Sequence, residues 1–268
     1  MRIKYPLNLV LIILLSAVLQ ARGGDRATAP PAGGTGRAAA PTVDMRPASG
    51  GPTLIHRQRK VEDRALKSAI EVDFPELSGV AGAVAGPFNR AIAGYIDAEM
   101  ADFEKDVKTI ADGGGSVPGK AAFTLDIKYE EEPADRAVIS LRFQAVSYTG
   151  GAHGVPTLRT FNYDLTRGRM LALDDLFLPG SGYLKILADR CIAELRTLGL
   201  GDDDWIRRGA GPEAENYADW NFTPEGFQVT FGIYQVAPYA AGRQEVVVPY
   251  AALRPFARPD GPLALFLR

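Results

Sequence analysis

The chain has 268 residues, with 30 Lys+Arg against 32 Asp+Glu, a formal charge of −2 with both histidines neutral. At 46% apolar and 23% charged, it has the makeup of a globular chain with a sizeable core, without the concentrated Lys and Arg excess that nucleic-acid phosphates require. One Cys excludes an intramolecular disulfide, and two His exclude a His-rich metal site.

Arg2 and Lys4 precede an apolar run from Leu7 to Leu19, with the small Ala21 behind it, which is the layout of a secretory signal over residues 1–21. The run is shorter than the ~20 residues of a comfortable membrane span. The expectation is an exported, periplasmic protein that touches a membrane only if this segment stays on as an anchor. Leu19-Gln20-Ala21-Arg22 is similar to a lipoprotein signal with arginine in place of the lipidated cysteine, so lipid attachment is not expected. Residues 22–60 read as a disordered linker, dominated by Gly, Ala and Pro as far as Thr53 and unable to offset the entropy of ordering. His56, near its end, is expected to be exposed.

Alternation in Ile70-Glu71-Val72-Asp73-Phe74 predicts a strand, stopped by Pro75. Phe88, Ile92, Ile96, Met100, Phe103 and Val107 share one helical face, with Pro87 in the first turn and Gly113-Gly114-Gly115 at the end. Strands follow over Phe123–Tyr129 and Val138–Tyr148, with Glu130–Asp135 as their loop, and over Leu158–Leu165 before a turn at Gly168. A second helix fits Tyr183–Leu198, capped by Ser181, with Leu184, Leu187, Cys191, Leu195 and Leu198 inward. Strands over Phe227–Ile233 and Glu245–Val248 and a short helix from Pro249 to Phe256 complete the pattern. Consecutive strands punctuated by single helices predict an α+β fold, antiparallel sheets packed with a few helices in two small subdomains, divided as residues 61–144 and 145–268.

Few motifs carry chemistry. Gly114-Gly115-Ser116-Val117-Pro118-Gly119-Lys120 has the spacing of a phosphate loop, but a helix precedes it and a strand follows, the reverse of the order phosphate binding needs. Cys191 reads as a core thiol, Asp202-Asp203-Asp204 as helix-start acids, and Asp174-Asp175 as a turn or cap. Tyr148-Thr149-Gly150-Gly151-Ala152-His153-Gly154 stands out: three glycines around one imidazole, directly after a strand, expose it on a tight loop. His153 could pin that loop, contact a ligand or act as a base. Neither a partnered nucleophile nor further strong metal ligands are visible beside it, so no cofactor and no metal are expected.

This loop, with Asn162-Tyr163-Asp164-Leu165 and Gly168, resembles the signature of domain-of-unknown-function family 3298, the RsiV-like C-terminal domain of lysozyme-sensing anti-sigma factors. Tyr234-Gln235-Val236-Ala237-Pro238-Tyr239-Ala240-Ala241-Gly242 with Val247-Val248-Pro249-Tyr250 is similar to its second signature. The segment from Ile70 to Tyr129, with Phe74-Pro75-Glu76-Leu77 and the helix at Asn89, is similar to the family's companion domain. The resemblance implies an extracytoplasmic module beside the cell envelope. The peptidoglycan deacetylase chemistry of some relatives lies in a separate domain, and only six residues precede the hydrophobic run, too few for a sigma-binding helix. What remains is binding: a lysozyme-like protein or a cell-wall glycan as partner, with Tyr148, Gly150, Gly151, His153, Tyr234, Tyr239 and Tyr250 as candidate contacts. The aromatics, with Trp220 and Phe222, either stack on a ligand or close the core. The rival expectation is a hydrolase of envelope polymers with His153 as general base.

Overall fold

The order of strands in the larger sheet is the order of the chain. The computed structural model describes residues 51–115, 122–134, 137–200 and 202–267. The predicted signal, most of the linker and the Ser116–Lys120 part of the phosphate-loop look-alike lie outside them. Six strands line up as β1 (Thr53–Asp63), β2 (Ser68–Ser78), β3 (Phe123–Glu132), β4 (Val138–Tyr148), β5 (Val155–Asp164) and β6 (Arg169–Met170). All neighbours pair antiparallel except β2 and β3, which run parallel because helix α1 (Gly82–Asp112) carries the chain back between them. A second sheet of β7 (Trp220–Phe222), β8 (Phe227–Phe231) and β9 (Gln244–Val248) is antiparallel throughout. Helices α2 (Tyr183–Thr197), α3 (Asp203–Gly209) and α4 (Tyr250–Leu253) complete an α+β fold.

Two hydrophobic clusters organise it. In the first, the apolar stripe of α1, with Phe88, Ile92, Ile96, Phe103 and Val107 buried, covers Ile70, Val72, Leu125, Ile127, Leu141 and Phe143 of the larger sheet. In the second, Leu187, Cys191 and Leu195 of α2 meet Trp220, Phe227, Val229, Phe231, Val246 and Val248 of the smaller sheet. Cys191 is the buried thiol expected, and burial pushes its pKa up to about 12. Asp202 caps α3 through the N–H groups of Asp204 and Trp205, and Asp175 closes its turn on the Ala172 N–H. Strand β4 runs unbroken through residues 144 and 145.

Five sequence expectations are corrected. Residues 53–60, assigned to the linker, belong to β1, an edge strand whose polar residues point to solvent and whose ladder to β2 supplies the order that its composition does not. Pro75 does not end β2. Leu77, two residues on, turns its N–H and C=O away from β1 onto the Asn89 side-chain amide, at 2.8 and 3.1 Å. Pro75 shares that orientation, so its missing N–H falls on an edge with no neighbouring strand among the described residues. Helix α1 begins five residues before Pro87, where the Tyr163 hydroxyl donates to the Val84 carbonyl. Ser181 does not cap α2; Gly182 holds that position with φ of 76°, and Leu198 is exposed.

Candidate functional site

The outer face of β4 is polar, and this polarity is what joins the two sheets. Ser140 Oγ donates to Asn162 Oδ1 at 2.7 Å and accepts from the Asn221 amide and the Phe222 N–H. Asn162 donates to the Trp220 carbonyl at 2.7 Å, and the Thr160 hydroxyl accepts the Trp220 N–H at 3.0 Å. Beside them Arg142, only 7% exposed, reaches Glu130, Glu132 and Glu245 at 2.6, 2.9 and 3.0 Å, tying β3 and β4 to β9. These bonds satisfy groups whose burial would otherwise cost stability. The motif Asn162-Tyr163-Asp164 is thereby accounted for as framework: Asn162 stitches the sheets, Tyr163 holds α1, and Asp164 accepts the Thr166 and Arg167 N–H groups of the following turn. Trp220 and Phe222 are core residues.

The glycine loop lies at the exposed end of the β4–β5 hairpin. Gly150 and Gly151 take φ of 105° and 98°, a region closed to other residues in practice. A Cβ on Gly154 would meet Val146 Cγ1 at 2.8 Å. The Tyr148 hydroxyl donates to the Gly151 carbonyl at 3.1 Å. His153 Nδ1 lies 3.0 Å from the Gly154 carbonyl, and its exposed ring stacks on Tyr239 at 4.3 Å between centroids and 25° between planes. Tyr234 stands 5.8 Å from Tyr239 and is 59% exposed. The structure therefore brings Tyr148, Gly150, Gly151, His153, Tyr234 and Tyr239 together from two separate loops. Tyr250 is elsewhere. Its ring stacks on Phe266, its hydroxyl bonds both backbone groups of Thr223, and burial raises its pKa.

Tyr234 is held under strain. Its φ of 69° is left-handed, uncommon for a bulky residue and characteristic of functional positions. The Trp205 indole N–H donates to its carbonyl at 3.0 Å, and Gln235 locks the turn, accepting from the Gly232 N–H and donating to the Gly209 and Asn216 carbonyls. Gly209 admits no side chain, since a Cβ would lie 1.9 Å from the Gln235 carbonyl. Trp205, Gly209 and Gln235 are supporting residues that sequence reasoning did not assign, because nothing local ties α3 to residue 234.

The turn that carries Tyr234 also walls a cleft of about 440 Å³, lined by Pro156, Thr157, Leu158, Asp219, Gln235 and Arg243 among others. That volume falls in the range of small-molecule sites. Asp219 accepts the Thr160 N–H at 2.9 Å; burial raises its pKa, against the opposing pull of that bond and of Arg159. Asp219 was not singled out from the sequence, where it is one carboxylate among many. Among the described residues the contacts of His153 are the Gly154 carbonyl and the Tyr239 ring, without a Ser, Thr or Cys, and no cluster of three or more His, Cys, Asp or Glu that could hold a metal occurs.

Residues 174–251 match the model of a protein family of unknown function, DUF3298, and residues 60–156 match that of the deacetylase PdaC. The chain is 25% identical over 168 residues to the peptidoglycan-N-acetylmuramic acid deacetylase PdaC of Bacillus subtilis, covering 62% of this chain but only 35% of the deacetylase. It is 29% identical over 125 residues to the esterase Rv3036c of Mycobacterium tuberculosis, covering 46% of this chain and 53% of the esterase. A crystal structure of a DUF3298 family member from Bacteroides fragilis shares the fold, with a TM-score of 0.56 at 17% identity over 83% of this chain and 98% of that one.

Proposed function

From a chain that carries a DUF3298 domain behind a PdaC-type domain, we propose a binding module of the bacterial cell envelope that holds cell-wall glycan without breaking bonds in it. The observation that carries the reading is the His153–Tyr239–Tyr234 group, with His153 and Tyr234 exposed and Tyr239 half-buried between them, on two hydrogen-bonded loops beside a cleft of suitable size. Aromatic faces suit the apolar faces of sugar rings, and the strained, pinned Tyr234 has its geometry set before a ligand arrives. The relative from Bacillus subtilis, named for its action on peptidoglycan, favours glycan over a lysozyme-like protein and an envelope or extracellular location over a cytoplasmic one.

The test is co-sedimentation of the purified protein with isolated sacculi. Wild type is expected in the pellet, with retention weakened about tenfold by Tyr239→Ala, the loss of roughly one stacked aromatic contact. A protein that stays in the supernatant, or a Tyr239→Ala variant that pellets like wild type, overturns the reading. The esterase relative supports one rival, hydrolysis with His153 as base. Turnover of peptidoglycan fragments or of a simple aryl ester that vanishes in His153→Ala would establish it.

A further inference from the structure

One wall of the cleft is the free edge of β5. Strand β6 pairs only with Tyr163 and Asp164, so the outer edge from Val155 to Asn162 has no neighbouring strand among the described residues. The direction of its polar groups follows from two bonds: the Thr160 N–H donates to Asp219 Oδ1, and the Asn162 carbonyl accepts from the Leu171 N–H, both away from β4. Backbone groups two residues apart on a strand point the same way. The N–H and C=O of Leu158 and the C=O of Pro156 therefore also point off the sheet, at the stretch that lines the cleft.

This edge is short by construction. Asp219 occupies it at Thr160, and Pro156 has no N–H to offer. What remains is one donor, the Leu158 N–H, among the carbonyls of Pro156, Leu158 and Thr160. A β-strand added to the sheet needs a longer run of alternating groups. The free donor suits an amide carbonyl, a stronger acceptor than a sugar hydroxyl; in a trans amide the N–H points the opposite way, so it is the C=O that meets this edge. The turn of Gly232, Ile233 and Gln235 that lines this cleft also carries the exposed Tyr234, which neighbours Tyr239 and through it the stacked His153, rings that suit a pyranose.

Resting on the glycan-binding reading above, we propose that the β5 edge at Leu158 reads the N-acyl group of a hexosamine, with the sugar ring against the aromatic loops. A glycan without the amide then offers the Leu158 N–H only a hydroxyl, a weaker acceptor.

The full chain is titrated with the trimer of N-acetylglucosamine and with cellotriose, a neutral trimer that has hydroxyls in place of the acetamido groups. The N-acetylated trimer is expected to bind about tenfold tighter, the scale of one amide's hydrogen bonding. The Leu158 backbone amide is expected to shift in the nitrogen–proton spectrum with that trimer alone. Leu158→Pro, which deletes the donor at an edge position that tolerates proline, is expected to equalise the two affinities. The spectral readout on wild type stands whatever that variant's folding. Equal affinities, or an unmoved Leu158 amide in a protein that still pellets with sacculi, overturns the edge assignment and leaves the glycan reading intact. Failure to pellet with sacculi removes the reading beneath it.

Discussion

The seam between the two sheets and the loop pair at the hairpin end are both made of polar and aromatic residues, yet they are built in opposite ways. At the seam, Ser140, Asn162, Asn221 and Arg142 are buried and linked to partners at 2.6–3.1 Å. At the loops, His153 and Tyr234 are exposed, and what is satisfied is the scaffold behind them: the Trp205 indole, the Gln235 amide, the glycine turn. A polar cluster that spends its hydrogen bonds on itself, leaving only the buried Asn221 Oδ1 of these four side chains without a partner among the described residues, is a joint. A cluster whose supporting groups are bonded while its faces stay open is a surface for something else.

Substitutions at the two regions separate them, starting where the effect is greatest. Arg142→Leu leaves Glu130, Glu132 and Glu245 facing one another across the joint and is expected to cost about 3–5 kcal/mol in denaturant unfolding. A loss below about 1 kcal/mol would mean that the buried ion pairs add nothing beyond a well-packed apolar residue. Asn221→Ala deprives Ser140 Oγ and the Leu141 carbonyl of a donor and should cost about 1–3 kcal/mol. His153→Ala removes one exposed stack and should cost less than about 1 kcal/mol, read as a small fall in Tm. A fall as large as that of Asn221→Ala would place the loop with the joint and remove its claim to be a surface.

The smallest effect is a pH dependence at an ion pair that takes part in neither region's bonds. Asp175 is held by the Arg169 guanidinium at 2.8 and 2.9 Å and by the Ala172 N–H, so its folded pKa lies below the ordinary carboxylate value. A carboxylate lowered in this way contributes stability above its unfolded pKa and loses it as pH falls towards the folded value. With both side chains partly exposed, the contribution is at most about 1 kcal/mol. The gap between wild type and Asp175→Asn should narrow between about pH 4 and pH 2. A gap that is constant across that window would show that the pair contributes nothing.

Much of the secondary structure was legible because burial writes a period into the chain. The spacing from Phe88 to Val107 names the face of α1 that the sheet covers, and the alternation in Val138–Tyr148 marks β4 without error at either end. The glycine loop was legible for a related reason, since adjacent positive φ values demand glycine. Strand β1 was not, because an edge strand that is polar on its exposed side carries no such pattern and is ordered by its ladder. Of the candidate contacts, the tyrosines looked alike: residue type cannot tell Tyr239, beside His153, from Tyr250, folded against Phe266.

The sequence by itself determined which residues leave water together, because side-chain periodicity is local and each element carries its own. Tertiary structure decided which polar residues became the joint and which backbone groups were left without a partner. Those outcomes depend on contacts between positions up to 103 residues apart, as between Arg142 and Glu245, and on a strand that ends one neighbour short. No window along the chain contains both members of such a pair, so their meeting is a property of the fold.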